Sequence, residues 1–471
     1  MATLTPLPGL LIIGVGASIA PMDFAVNVAF PAITAAFALD VQSIRWVVIC
    51  YVITYASLML AFGKLGDIVG HRRVFHAGLL TGTLAFAACG LAPTYAWLLV
   101  ARVLQGIATA LVLSCAPALV VAVCGEQRRT WALSRYAMIA AVAGILGPII
   151  GGAAIQWLGW AGVFWFRLPV AVLALVLLAR LPAAPAVPVM ADAPRRFDPV
   201  SSALLAGGLA LLLLGPGLWS GPTYIALPLA AGVAGIGLLA LFALRERRDA
   251  EPVLPPSAVR DPVMLAANVT SVLVNLVAFS IPLLAPYYLA RIGGFSAITM
   301  GLLLAMSTVG VFAASTVTPR VVRALGQRRA ALLGAALVAL AQGFIALWPM
   351  APSAAVLMTG LLLHGLGVGL FQVSYTDLIV ATLPQKNRGI AGSLTMLTRT
   401  IGVILAAVIL SSAVQALEAR HLAAGQAAAE AFHAAFSSVF LYSGLLLAVL
   451  LLLAAVAPTL WRKAKTRALR K

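Results

Sequence analysis

The chain has 471 residues, of which 63% are hydrophobic and only 9% charged, with a mean hydropathy of +1.07. A soluble globular domain runs near about 25% charged residues, so that class is excluded. The formal net charge of +18 is distributed as a membrane surface requires, and nucleic acid is not an expected partner.

Apolar runs of roughly 18 or more residues, each enough to cross ~30 Å of hydrocarbon as a helix, recur from end to end. Barrel strands are ruled out because they run about 10 residues with alternating polarity. In chain order the predicted spans are roughly 9–33, 43–62, 74–91, 95–122, 132–155, 161–181, 200–218, 223–244, 265–290, 297–318, 330–348, 354–382, 390–414 and 436–457. The first 33 residues carry no basic amino-terminal region and no small-residue cleavage site, so span one is expected to be retained.

Of thirteen acidic residues, only Asp23 in span one and Asp377 in span twelve fall within spans. An ionisable group at mid-bilayer costs ~2.5 to 3.5 kcal/mol on insertion scales, so both are functional candidates. Asn27 lies one helical turn from Asp23 and faces the same way. Span two runs into "GKLGDIVGHRRV" at 63–74, which holds Gly63, Asp67, Gly70, Arg72 and Arg73. Its glycines let two helix ends approach closely, and Asp67 can pair with basic neighbours or a helix amino-terminus. The stretch reads as a latch between helix ends, or, for Arg72 and Arg73, as a topology signal alone. Span four carries Arg102, and Arg167 is expected near the outer surface, where it bears little on the interior. In span five, "GILGPIIGG", Pro148 removes a backbone hydrogen bond while Gly144, Gly147, Gly151 and Gly152 allow bending and close packing. Span seven is broken by "GPGLWSGP". His364 in span twelve is either a group titrating near neutrality or a satisfied structural one, and Arg399 is expected to pack the cytoplasmic half of span thirteen. Cys50, Cys89, Cys115 and Cys124 form no CxxC pair and read as packing residues, with no metal site.

Orientation follows from the basic residues. Of 31 Lys and Arg, 25 fall in the even-to-odd loops and carboxyl tail, and only Arg45, Arg291 and Arg420 in the opposite loops. This positive-inside split predicts fourteen spans with both termini cytoplasmic.

The chain also repeats itself. "GKLGDIVGHRRV" at 63–74 returns as "PRVVRALGQRRA" at 319–330, so Gly70, Arg72 and Arg73 map onto Gly326, Arg328 and Arg329. Parallel repeats of this kind build many secondary transporters. The first copy resembles the loop motif of the major facilitator superfamily, Gly-x-Leu-x-Asp-Arg-x-Gly-Arg-Arg, with Ile68 where the family usually has Arg. The fourteen-span layout resembles its drug:proton antiporter branch. "VNVAFPAI", "RWVVICYVITYASLMLAFGKLGD", "ARVLQGIATAL", "GILGPIIGG" and "LTRTIG" extend the resemblance over most of the chain. It implies an all-α polytopic major facilitator fold: an amino-terminal six-helix bundle at 1–182, a linker with two added helices at 183–260, and a carboxyl-terminal six-helix bundle at 261–471. It makes spans one and four neighbours, so that Asp23 and Arg102 offset each other's desolvation. The family spaces its acid five residues before the Asn. Here the gap to Asn27 is four, which rotates the acid by ~100° from the family position, now Met22. Further departures are Ala143 for a usual Gly, Ala290 for Gln and His364 for Arg. Phe24, Tyr51, Tyr55, Tyr287, Tyr288, Phe371 and Tyr375 fall on spans the resemblance places near the cavity, where they can hold an apolar cation or serve as packing.

These features predict a monomeric transporter of the cytoplasmic membrane, in contact with lipid, using no cofactor beyond the proton gradient. It would exchange protons at Asp23, with Asp377, for an amphipathic cationic or neutral small molecule. The rival within the class is an exporter of one endogenous metabolite or self-made antibiotic. A membrane-embedded acyltransferase would need a His, Asp or Ser constellation at one membrane face, which the sequence lacks.

Overall fold

In hydrocarbon every backbone N–H and C=O must find a partner within the protein, and a helix provides one for each residue internally. The computed structural model, which describes residues 6–180, 199–218, 226–246, 262–382 and 389–456, has a helix at every one of the fourteen apolar segments. Twelve of the described helical segments are long and apolar enough to cross a membrane. The two outside that set are His71–Gly90, whose first turn is basic, and Pro199–Gly217, whose apolar part is the shorter Val200–Gly215. The chain is thus an all-α, multi-pass membrane protein. Arg195, Arg196, Arg247, Arg248, Arg260, Lys386, Arg388 and the basic tail from Arg462 lie outside the described residues.

Contacts divide the chain into two compact units. The first comprises residues 1–245 and 295–305. Its span one is a broken rod: α1 (Pro6–Ser18), a 3₁₀ turn (Pro21–Asp23), α2 (Phe24–Val28) and α3 (Phe30–Ala36). Pro21 and Pro31 each lack the N–H that would continue the helix. Then follow α4 (Arg45–Val69), α5 (His71–Gly90), α6 (Tyr95–Cys124), α7 (Arg129–Leu158), α8 (Gly162–Trp165), α9 (Arg167–Arg180), α10 (Pro199–Gly217) and α11 (Ala226–Glu246). The unit therefore includes the two added helices, which the sequence places in a linker. Thr94 caps α6 by accepting from the Trp97 N–H at 3.2 Å. Leu10, Ile13, Phe75, Leu79, Phe86 and Val112 form part of an apolar core contributed by α1, α5 and α6, with Ala171 and Ala174 of α9.

The second unit comprises residues 246–294 and 306–471. Its helices are α12 (Pro262–Ala278), α13 (Ser280–Arg291), α14 (Ala297–Leu325, with its first turns counted in the first unit), α15 (Gln327–Ala346), α16 (Ala354–Thr382), α17 (Gly389–Ala423) and α18 (Ala428–Val456). Span nine is also broken, between α12 and α13. Pro282 has no N–H to give the Ala278 carbonyl four residues earlier. Gln342 serves the break, donating Nε2 to the Val277 carbonyl and accepting from Ser280 Oγ, both at 3.2 Å. The repeat is visible in the backbone as well: Gly70 and Gly326 hold φ of 98° and 81° between consecutive helices, in the region that favours glycine.

Candidate functional site

Asp23 ends the 3₁₀ turn and starts α2. There its carboxylate meets two other helices of the first unit. From α6, Arg102 forms a fork, Nη1 to Oδ1 at 2.8 Å and Nη2 to Oδ2 at 3.0 Å. One turn further on α6, Gln105 donates Nε2 to Oδ1 at 2.8 Å. From the first residue of α9, Arg167 donates Nη1 to Oδ1 at 2.6 Å. The fork is fixed from behind, because Arg102 Nε donates to the Val47 carbonyl at 2.9 Å and Nη1 also reaches Gln105 Oε1 at 2.8 Å. Arg167 Nε is held by the Val163 carbonyl at 2.8 Å. Both guanidiniums lie over rings, Arg102 at 4.3 Å from the Tyr51 centroid and Arg167 at 4.7 Å from Phe86. Tyr51 in turn hydrogen-bonds Thr109 and packs on Tyr55 at 5.1 Å.

One carboxylate thus faces two guanidiniums, a balance of +1 inside the apolar layer. Ring faces and carbonyls rather than a second acid offset the surplus charge. Arg102 and Arg167 are buried, and Asp23 alone keeps some exposure, 13% of its side chain. Removing one partner of such a buried pair costs about 3–5 kcal/mol, because the other charge is stranded.

The structure corrects the expected place of Arg167. Expected near the outer surface, it is fully buried and makes the shortest contact to Asp23. Gln105 is also absent from the expected set. Asn27, one turn from Asp23, is half-buried and is not among the partners of the carboxylate. Met22, at the family's acid position, is buried against α7, where a Cβ on Gly147 would come within 3.0 Å of its backbone. A Cβ on Gly151 would collide with Ala25. The glycines of "GILGPIIGG" therefore let α7 close directly on the turn that carries Asp23. Gly144 and Pro148 are buried, and Gly152 approaches Gly301 at the head of α14.

In the loop stretch, Asp67 pairs with His71 one turn on, Oδ1 to Nε2 at 3.2 Å. Arg72 Nη2 donates to the Leu178 carbonyl in the last turn of α9 at 2.9 Å, and Arg73 Nη1 reaches the Val69 carbonyl at 3.4 Å. Gly63 sits opposite Ser114. In the second unit Arg328 repeats the act of Arg72, donating Nη2 to the Ala454 carbonyl in the last turn of α18 at 3.2 Å. Each block thus uses this arginine to satisfy the carbonyl end of its sixth span.

Asp377, Tyr287, Tyr288, Phe371, Tyr375 and His364 belong to the second unit. Asp377 is exposed and accepts from Gln327 Nε2 at 2.9 Å. Tyr287 and Tyr288 are buried, and Tyr288 stacks on Phe436 at 4.7 Å while its hydroxyl donates to the Pro349 carbonyl, which makes it a core residue. Phe371 stacks on Tyr375 at 5.6 Å, and the Tyr375 hydroxyl donates to Asn268 Oδ1 at 2.7 Å. His364 is buried with Nδ1 at 3.0 Å from Ser307 Oγ. Among the described residues no cluster of His, Cys, Asp or Glu could hold a metal ion.

Comparison with known proteins agrees with this architecture. The chain is 30% identical to the tetracenomycin C resistance and export protein of Streptomyces glaucescens, over 86% of this chain and 75% of the relative. It is 29% identical to the multidrug resistance protein Stp of Mycobacterium tuberculosis, over 88% and 76%. The cephamycin export protein CmcT of Amycolatopsis lactamdurans is 30% identical over 80% and 78%. Among solved structures, a bacterial homologue of the human lysosomal transporter Spinster superposes with a TM-score of 0.71 at 16% identity, over 99% and 100% of the two chains. The nucleoside transporter NupG gives 0.68 at 11% identity, over 98% and 100%. Residues 12–407 match the Major Facilitator Superfamily, and with the repeated loop arginines and the buried charge cluster in one helical chain, this protein belongs to that family of membrane transporters.

Proposed function

We propose that the protein is a proton-coupled antiporter that exports a small amphipathic molecule by alternating access. In this reading fourteen spans cross the cytoplasmic membrane, with both termini in the cytoplasm. The observation that carries it is the Asp23 carboxylate, an acid inside broken span one that is partly exposed and bound to Arg102 and Arg167. A proton that lands on this carboxylate displaces a guanidinium contact, so protonation and rearrangement of three helices are one event. Exporters of drugs and antibiotics among the relatives support the direction of transport. For an uncharged substrate exchanged against one proton, ~2.3 kcal/mol per 100 mV and ~1.4 kcal/mol per pH unit allow a gradient of roughly several hundredfold. Asp377, at the loop end of α16, is assigned to that loop and not to coupling.

The test is a resistance panel in a host lacking its own efflux pumps, with and without a protonophore. Protection that vanishes when the proton gradient collapses supports the reading. Protection that persists in full overturns proton coupling. The names of the tetracenomycin and cephamycin exporters favour a second reading, export of one defined natural product; protection against a single compound class in the same panel would select it.

A further inference from the structure

Arg102 and Arg167 have an acid to meet; Arg399 does not. It stands in α17 between two buried threonines, Thr398 and Thr400, and is itself half-buried. Counted from residue 390, where the apolar run begins, it lies ~14 Å along the axis, about the middle of a ~30 Å hydrocarbon layer. Among the described residues Arg399 makes no ion pair, hydrogen bond or ring contact. Its polar neighbours are engaged with one another. Thr398 Oγ1 lies 2.9 Å from Ser271 Oγ and 3.3 Å from the Tyr375 hydroxyl, which donates to Asn268 Oδ1. Asp377 of α16 accepts from Gln327. Thr398 and Gly402 face α12, where a Cβ on Gly402 would collide with Val272 and Asn275. Thr400 and Ile404, one turn apart, share a second buried side. At ~100° per residue, Arg399 falls between these two packed faces. The buried Thr400 hydroxyl also lacks a partner among the described residues, so two adjacent side chains of α17 carry unmet polar atoms. A cation at this depth is costly to insert, and Leu would pack α17 without that cost. Such a residue faces a water-filled cavity and what the cavity holds.

We infer that Arg399 binds the exported molecule, and that this molecule carries a carboxylate. The planar guanidinium fork matches the two oxygens of that group. One negative charge balances the one unpaired cation. A phosphate brings close to two charges and leaves a surplus in the apolar layer, while a phenol is uncharged near neutral pH. The sequence led to a cationic or neutral molecule; a carboxylate on an apolar body keeps the amphipathic character and reverses the sign. The inference rests on the export reading, which makes the ligand of Arg399 the cargo.

Equilibrium binding to the full chain in a neutral detergent tests it, read by quenching of tryptophan fluorescence. The probes are naphthalene-2-carboxylate and anthraquinone-2-carboxylate, each beside its methyl ester. In at least one pair the carboxylate should bind about tenfold or more tighter than its ester, as a charge-assisted contact gives. In Arg399→Gln that advantage should fall below about twofold while ester affinity holds, a pattern that a merely structural arginine would not produce. Arg399→Lys keeps the charge and loses the fork, so it should fall between the two. Equal binding of carboxylate and ester, no binding of any probe, or a carboxylate preference that survives Arg399→Gln overturns the inference. If the Gln variant does not accumulate, an Arg399→Lys protein with the full wild-type preference overturns it. The expected preference without pH-driven movement in proteoliposomes, beyond that of protein-free vesicles, would sink the antiport reading and leave the anion site standing. Gradient-driven movement of acid and ester at one rate, unchanged in Arg399→Gln, would do the reverse.

Discussion

Replacing Asp23 by Asn keeps the size of the side chain and removes the charge on which three donors converge. Whichever way the amide turns, an N–H₂ group meets guanidinium N–H groups, and the cluster rises to +2. Asp23→Asn should therefore abolish export driven by a pH gradient in proteoliposomes while the protein still reaches the membrane. Transport at the wild-type rate would remove Asp23 from the mechanism. Arg167→Met tests the residue that the sequence reading set aside. It strands no charge, since the Arg102 fork remains, and should slow transport by roughly tenfold, with a loss of stability well under the ~3–5 kcal/mol of a stranded ion. Asp23 and Arg102 were legible in the sequence because charge in an apolar run demands a partner. Arg167 was equally legible by that rule, and by depth: counted from the outer ends of spans four and six, Arg102 and Arg167 lie about as deep as each other. The pairing of Tyr288 with Phe436 was not legible, because an aromatic residue in a span gives no sign of whether it faces a core or a cavity.

At the scale of the helix, the glycines of α7 matter because of what they touch. A valine at Gly151 would drive methyl groups into Ala25, two residues beyond Asp23. Overpacking of this kind costs about 1–3 kcal/mol, here applied to the turn that aims the carboxylate. Gly151→Val should impair transport severely, whereas Gly63→Ala, with only Ser114 at 4.0 Å, should be nearly silent in the same efflux assay. The loop stretch separates into two jobs. Arg72 and Arg328 each close a sixth span, so Arg72→Ala and Arg328→Ala should lower the thermal midpoint alike and leave substrate affinity unchanged. Among the described residues Asp67 pairs with His71, within its own turn of chain. If it is a latch, Asp67→Asn should slow the transport cycle without weakening substrate binding. The repeat predicted that residues 72 and 328 share a role, yet their targets on α9 and α18 lie 106 and 126 residues away and carry no local signal.

For the molecule as a whole, the positive-inside split predicts which face each loop takes. In a background without the four native cysteines, a cysteine near Arg196 should react only from the cytoplasm, and one beside Gly425 only from outside. Reaction of both from one side would refute the span count. The helical type of the elements was readable because a bilayer leaves a spanning backbone only the helix or the closed barrel, and long apolar runs select the helix. The grouping of α10 and α11 with the first unit has no such local sign. The distance between Asp23 and its partners has one more consequence, for synthesis. The acid emerges from the ribosome 79 residues before Arg102 and 144 before Arg167. At about 5–20 residues per second, span one waits on the order of ten seconds at the translocon with no guanidinium to meet. For that interval the cheapest state of the nascent span is a neutral acid or a span held at the channel's edge. Slowing elongation between residues 30 and 100 should therefore lower the yield of wild-type protein and spare Asp23→Asn.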